Sequence, residues 1–184
     1  MKFKEQIFKE YKLQGYLDDK KLYKEKHSDY TTGTIVKHFK LKFEISEDEF
    51  DLISEKYSDI PFIKNKFNEN RKKAFNSDVI RFYDWFKEQN NCCGYCGITQ
   101  DELYTIFEDK LPLNDKIKRS SGTLEIERLN SNDDYSEKNI ILACPLCNNA
   151  KSNLIDENSW RDFFVDSMRK YYKKLLDELK NQNL

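Results

Sequence analysis

"NNCCGYCGIT" (residues 90–99) and "ACPLCNNAKSN" (residues 143–153) are the two stretches on which the fold turns. Each holds a Cys-x-x-Cys pair, Cys93 with Cys96 and Cys144 with Cys147. Two such knuckles, tens of residues apart, bring four thiolates into a tetrahedron, the arrangement Zn²⁺ takes in structural sites. Gly94 and Gly97 suit the tight turn of the first knuckle, and Pro145 stiffens the second. The chain has five cysteines, and four of them fall into these matched pairs. That weighs against coincidental motifs or two disulfides. The fifth, Cys92, is a free thiol, unless the register shifts and it takes the place of Cys93. A site closed by four cysteines staples a fold and leaves no open position for catalysis.

Composition sets the background. The chain has 184 residues, room for one domain or for a small module with an extension. Charged residues make up 35% against 38% hydrophobic, so the expectation is a polar, globular protein. With 13 Phe and 11 Tyr it has the material for a core and does not read as disordered. Only 5 Gly and 3 Pro point to a mostly helical chain. No run of about 18 apolar residues suggests a membrane span, and no basic stretch leads into an apolar one at the start. The expected compartment is the cytoplasm, where reduced, clustered thiols bind metal. A net charge of −1 excludes a global basic signature for nucleic acid. Two local runs are basic: Lys64, Lys66, Arg71, Lys72 and Lys73 in residues 62–74, and Lys110, Lys116, Lys118 and Arg119 in residues 110–119. Either run can be a phosphate-facing patch or a solvated helix face.

The elements follow from periodicity and capping. Phe39, Leu41, Phe43 and Ile45 alternate with Lys40, Lys42 and Glu44, the period of a half-buried strand. Ser46 and Glu49 form a capping box that opens a helix. A further helix from about residue 61 carries the first basic run. Another, capped by Ser77, puts Val79, Ile80, Tyr83 and Phe86 on one face and delivers the chain to the cysteines. Thr99 and Glu102 make a second capping box for a helix through about residue 109. "GTLEIERL" reads as a strand and "NIILA" as its partner. A short helix starts at Asn148. From about Asp156 a long amphipathic helix runs to the end, its core stripe made of Trp160, Phe163, Phe164, Tyr171, Leu175 and Leu179. The domain reading is a mainly helical extension over residues 1–90, a site-bearing module over 91–155, and a C-terminal helix over 156–184 packing on that module.

Between the knuckles lie "LEIERLN" and "NDDYSEKNIIL", and the second knuckle continues as "CPLCNNAKSN". In this order and spacing the pieces resemble the HNH endonuclease family, whose ββα-metal finger is often built around two zinc-binding knuckles. The resemblance covers residues 91–155, about a third of the chain. It implies an α+β, mostly helical fold with a ββα-metal finger stapled by zinc on Cys93, Cys96, Cys144 and Cys147. It also implies a second, catalytic ion, Mg²⁺ or Mn²⁺, held by Glu127 and Asn148. Asn139 would tie down the loop between the strands, and Lys151 would hold a phosphate oxygen. His27 and His38 lie outside the matched region and read as ordinary surface or strand residues.

The departure is Arg128, which stands where the family has its general-base His. Arginine stays protonated at any working pH and cannot take a proton from water. The base would then be Glu125, Asp133, Asp134, Tyr135 or water on the ion, whose pKa a divalent cation lowers. Arg128 would act by charge, clamping oxygens of the scissile phosphate. The resemblance thus implies a metal-dependent endonuclease acting on DNA, with RNA left open, in a setting such as restriction or phage defence. A partner protein supplying targeting fits the same reading. The alternative is a zinc-stapled nucleic-acid-binding or protein-interaction module that has lost catalysis. A thiol redox protein would need a thioredoxin-like βαβ context, which the sequence lacks.

Overall fold

The computed structural model describes residues 2–14, 40–41, 43–108 and 122–182, and these are mostly helical with one small two-stranded sheet. His27, His38 and the basic run at 110–119 lie outside the described residues. In chain order the elements are α1 (Lys2–Gln14), α2 (Glu47–Lys56), α3 (Ile60–Asn65), α4 (Glu69–Ala74), α5 (Val79–Glu88), α6 (Gln100–Glu108), β1 (Glu125–Arg128), β2 (Ile140–Ala143), α7 (Pro145–Lys151), α8 (Glu157–Phe163) and α9 (Val165–Gln182). They group into two units, residues 1–72 with 77–83 and residues 73–76 with 84–184. No described helix is long and apolar enough to cross a membrane.

The first unit packs Phe8 of α1 with Ile45 and Ile53, and Ile7, Phe43, Phe50 and Tyr57 close around them. Phe8 meets Phe50 edge to face at 5.7 Å. The alternation around Leu41 and Phe43 does not make a strand. Lys40, Leu41 and Phe43 are helical, and the turn closes with Glu44 at φ 48°. Glu44 N donates to Leu41 O and Ile45 N to Lys40 O, the paired bonds of a Schellman ending. Four alternating residues offer a strand nothing without a partner, whereas a helix satisfies its own backbone locally. Leu41 is left outside, 66% exposed. Ser46 caps α2 as its box predicts, its hydroxyl accepting from Glu49 N.

The basic run from residue 62 is split between α3 and α4, with Phe67 between them stacked on Phe82 at 4.9 Å. Some of its charges have protein partners: Lys72 pairs with Glu69, Lys64 donates to Lys12 O, and Arg71 donates to Asn68 Oδ1. The cap of α5 is Asp78, not Ser77. Asp78 Oδ1 accepts from Ile80 N and Arg81 N, both at 3.0 Å, while Ser77 sits in the left-handed region at φ 61°. The buried face of α5 is Phe82, Tyr83, Trp85 and Phe86, with Val79 and Ile80 only half-buried.

In the second unit, Thr99 and Glu102 complete the capping box in both directions: Glu102 N donates to Thr99 Oγ1 and Thr99 N to Glu102 Oε2. β1 and β2 pair antiparallel, with Glu125 opposite Ala143 and Arg128 opposite Ile140. The helix after the second knuckle starts at Pro145, earlier than Asn148, because Cys144 itself serves as its cap. The expected single C-terminal helix is two. At Phe164 the chain leaves helical geometry (φ −120°, ψ −31°), which resets the phase of the stripe. Trp160, Val165, Tyr172, Leu175 and Leu179 are buried, whereas Phe163 is 75% exposed and Tyr171 is also outside. From Val165 onward the inward positions recur at the three-and-four spacing of an amphipathic helix.

The capping correction has a direct test. Asp78→Ala removes an oxygen that satisfies two backbone donors and should cost about 1 kcal/mol of stability in urea denaturation. Ser77→Gly should be neutral or stabilising, because glycine adopts positive φ without strain.

Candidate metal centre and the adjoining acids

Local backbone chemistry builds the first knuckle. Asn90 and Asn91 both take positive φ and turn the chain out of α5. Cys93 N then donates to Ile98 O and Gly97 N donates back to Cys93 O, both at 2.8 Å. This closure needs Gly97 at φ 81°, where a side chain would be strained. Gly94 N donates to Leu142 O at 2.8 Å and so fastens the knuckle to β2. A Cβ at Gly94 would lie 2.3 Å from Ile141 Cδ1, so the approach requires glycine. Because β2 runs straight into Cys144, that one bond brings the second knuckle to the first. Cys144 then caps α7, its Sγ accepting from Cys147 N at 3.4 Å.

The result is a cluster of four buried cysteines. Cys93, Cys96, Cys144 and Cys147 are at most 5% exposed, and their Sγ atoms all lie within 4.8 Å of one another. Cys96 and Cys144 are 3.7 Å apart. A tetrahedral ion bound at about 2.3 Å to each sulfur spaces the sulfurs by about 3.8 Å, so the cluster fits a metal ion such as zinc. The thiols themselves make the same case. Hydrogen bonds from Cys144, Cys147 and Cys96 pull the Cys93 thiol far below its ordinary pKa, while bonds to their neighbours push Cys96 and Cys147 well above theirs. A divalent ion would let all four ionise together. Cys92 stands apart, half-buried, its Sγ donating to Gln89 O at 3.4 Å.

Beside the cluster α7 lies against β1 and meets its acids. Asn148 Nδ2 donates to Glu125 Oε2. One turn later, Lys151 Nζ donates to Glu127 Oε1 at 3.1 Å and lies 3.4 Å from Arg128 O. Glu127 is 8% exposed and Lys151 fully buried. Glu127 Oε2 is buried with no hydrogen-bond partner. Burial, first of all, raises the Glu127 carboxyl to about 7 against the opposing pull of Lys151. Asn139 fastens the loop between the strands: its Oδ1 accepts from Asn130 N at 2.9 Å, and its Nδ2 donates to Asn130 O and Asp134 O at 3.0 Å each. Arg128 points into that loop, donating to Asp133 O at 3.1 Å, with its guanidinium 5.1 Å from the centre of the Tyr135 ring.

The four cysteines read from sequence as zinc ligands are therefore together, and Glu127 and Asn148 are on facing elements, but each is bonded to a different neighbour. Lys151, read from sequence as a phosphate contact, is buried against Glu127. Among the described residues, the cysteine cluster is the only group of three or more His, Cys, Asp or Glu side chains close enough to share an ion. For a second, catalytic ion the fit is narrower. It rests on the unpartnered Oε2 of Glu127 and on the amide oxygen of Asn148, whose nitrogen is taken by Glu125. The sequence reading missed two features. Gln100 is buried, receiving Leu124 N and donating to Gly122 O at 2.8 Å each, which sets the start of β1. Arg161 and Arg169, from the C-terminal helices, donate to carbonyls of the first knuckle. No motif marks either feature. Compared with protein-family models, curated proteins and solved structures, the chain matches none.

Two measurements test this geometry. Binding energy at such a cluster is folding energy, so Cys147→Ser should lose the metal and lower the melting temperature sharply, while Cys92→Ser should leave both near native; equal behaviour of the two variants would remove the cluster's role. The raised carboxyl pKa of Glu127 gives stability that is complete below the ordinary carboxylate range and lost as pH rises through about 7. The melting-temperature advantage of native protein over Glu127→Gln should therefore shrink between pH 5 and pH 8; a difference that stays constant or grows would contradict it.

Proposed function

We propose that the chain is a metal-dependent endonuclease of the HNH type that hydrolyses phosphodiester bonds of DNA, with a structural zinc on the four cysteines and a catalytic Mg²⁺ or Mn²⁺ at Glu127 and Asn148. One observation carries the reading: α7, anchored through Cys144 and Cys147, lies against the acid-bearing strand β1, and Glu127 keeps one buried oxygen with no partner. The order of parts supports it. A cysteine knuckle, an acidic strand, a loop tied by an asparagine, a second strand and a second knuckle opening a helix follow one another as in that family.

A bound divalent ion would supply positive charge to the scissile phosphate. The chain's own residues supply the rest. Glu127 Oε2 and the Asn148 amide oxygen offer ligands from a strand and a helix, the oxygen donors that hard cations prefer. Asn139 holds residues 130–134 in place. Arg128, permanently charged and held by Asp133 O and the Tyr135 ring, would act on phosphate as a donor. Glu125, Asp133, Asp134 and Tyr135 remain the side chains from which the base would come.

One contact favours a second reading. Lys151 Nζ lies 3.1 Å from the carboxylate that would take the ion, and as a permanent partner it would leave no call for one. The module would then bind nucleic acid or a protein without cutting. Plasmid nicking by the zinc-loaded protein with Mg²⁺ or Mn²⁺, against an EDTA control, separates the two. The nuclease reading expects metal-dependent cleavage that Glu127→Ala and Asn148→Ala abolish while zinc content stays unchanged, and an Arg128→Ala rate lower by on the order of a hundred- to a thousand-fold. Cleavage at the native rate in both ligand variants would refute the catalytic assignment, and no cleavage at all would leave the binding reading.

A further inference from the structure

The C-terminal helices contribute to the cysteine cluster in a way that neither its ligands nor the nuclease reading requires. Three consecutive carbonyls of the first knuckle are held by two arginines. Arg161 Nη1 donates to Gly94 O, Arg169 Nη2 to Tyr95 O and Arg169 Nε to Cys96 O, each at 3.2 Å. One turn after Arg169 on the same helix comes Tyr172, 3% exposed. Its hydroxyl sits beside Cys144 without a hydrogen bond of normal geometry. Arg169 and Tyr172 also line, with Cys96, Gly97 and Lys173, a groove of about 300 Å³.

Four thiolates around one divalent ion carry a net charge of −2, and buried sulfurs in that state need donors. Hydrogen bonds from outside the ligand set orient such ligands and tune the metal. On the second knuckle, Cys147 N already donates to Cys144 Sγ. The Tyr172 hydroxyl is the side-chain donor adjacent to the same sulfur. The two guanidiniums bring positive charge to the backbone of the first knuckle, and Glu157 and Asp166 partly offset it through their pairing with Arg161 and Arg169.

We infer that Tyr172 and Arg169 are positioning residues of the metal centre: Tyr172 donates its hydroxyl to Cys144 when the ion is bound, and Arg169 locks the Cys96 knuckle, so that helix Val165–Gln182 sets how tightly and how long the metal is held. The inference rests on the metal reading of the cluster. It explains why a helix remote in sequence carries a buried tyrosine hydroxyl toward a sulfur, where leucine would pack as well.

The test uses full-length protein loaded with Zn²⁺, and in parallel with Co²⁺. Release of Zn²⁺ to excess chelator is followed with a colorimetric indicator, and the thiolate-to-Co²⁺ charge-transfer band is recorded. Tyr172→Phe, which keeps the ring, should release zinc about ten-fold faster and shift the cobalt band to lower energy, because a sulfur without its donor gives up electron density more easily. Arg169→Gln should speed release as well, and Tyr171→Phe, changed on the exposed neighbour, should behave as native. A purely structural role for Tyr172 would leave the cobalt band in place. Native release rate and native cobalt spectrum in Tyr172→Phe would overturn the inference while leaving the metal reading standing. Native protein that takes up neither ion would overturn both. Should Tyr172→Phe fail to fold, Arg169→Gln decides alone: faster release upholds the inference, and native release sinks it.

Discussion

Four buried sulfurs within 4.8 Å of one another form an arrangement that a folded chain has little reason to build for itself. Uncharged, they pack like small apolar groups and give no reason for the precision of the turns around them. Charged, they repel. A cation shared between them would resolve the conflict, and the backbone around them brings the four sulfurs together. Gly97 at positive φ closes the first knuckle, Gly94 lets its backbone reach Leu142 O, and Cys144 opens the helix that carries Cys147. Each of these is a backbone requirement with one good solution, and together they fix the hairpin and α7 as a unit.

That unit in turn fixes the acids. Once α7 is anchored at its first turn, its next turns face β1, and Asn148 and Lys151 meet Glu125 and Glu127. Burying a carboxylate and an amine together is seldom a gain in stability over apolar packing of the same volume. The Glu127–Lys151 pair, with one carboxylate oxygen left unpartnered, is therefore a poor device for stability alone. It also holds the tension between the two functional readings. The same buried oxygen that invites an ion sits on a carboxylate that Lys151 already contacts.

The sequence was most legible where the chemistry is local. The matched cysteine pairs and the capping boxes at Ser46 and Thr99 are marked by residues close in sequence, and each is in the structure; of the strand read in "GTLEIERL", Glu125–Arg128 pairs with Ile140–Ala143 of "NIILA". Patterns that needed tertiary context failed. The alternation through Leu41 and Phe43 has no partner strand among the described residues and closes as a helix end instead. The stripe drawn through Phe163 and Tyr171 assumed an unbroken helix; Phe163 lies outside at the end of α8, and past the break at Phe164 the inward positions shift to Val165, Tyr172, Leu175 and Leu179, leaving Tyr171 outside. The cap at Ser77 was one residue off, because an aspartate beside it accepts the two backbone bonds. The partners of Glu127 and Asn148 could not be read at all, since they depend on the rotation of α7 over β1. The contacts of Arg161 and Arg169 with the first knuckle depend on packing in the same way, and nothing in the sequence marks them.

The central claim is that a single zinc ion, held only by sulfur, staples this fold. X-ray absorption at the zinc edge of the purified protein tests it most directly. The account predicts one shell of four sulfur atoms at about 2.3 Å and no lighter ligand. A shell containing nitrogen or oxygen, or a well-folded protein that carries no zinc, would contradict it.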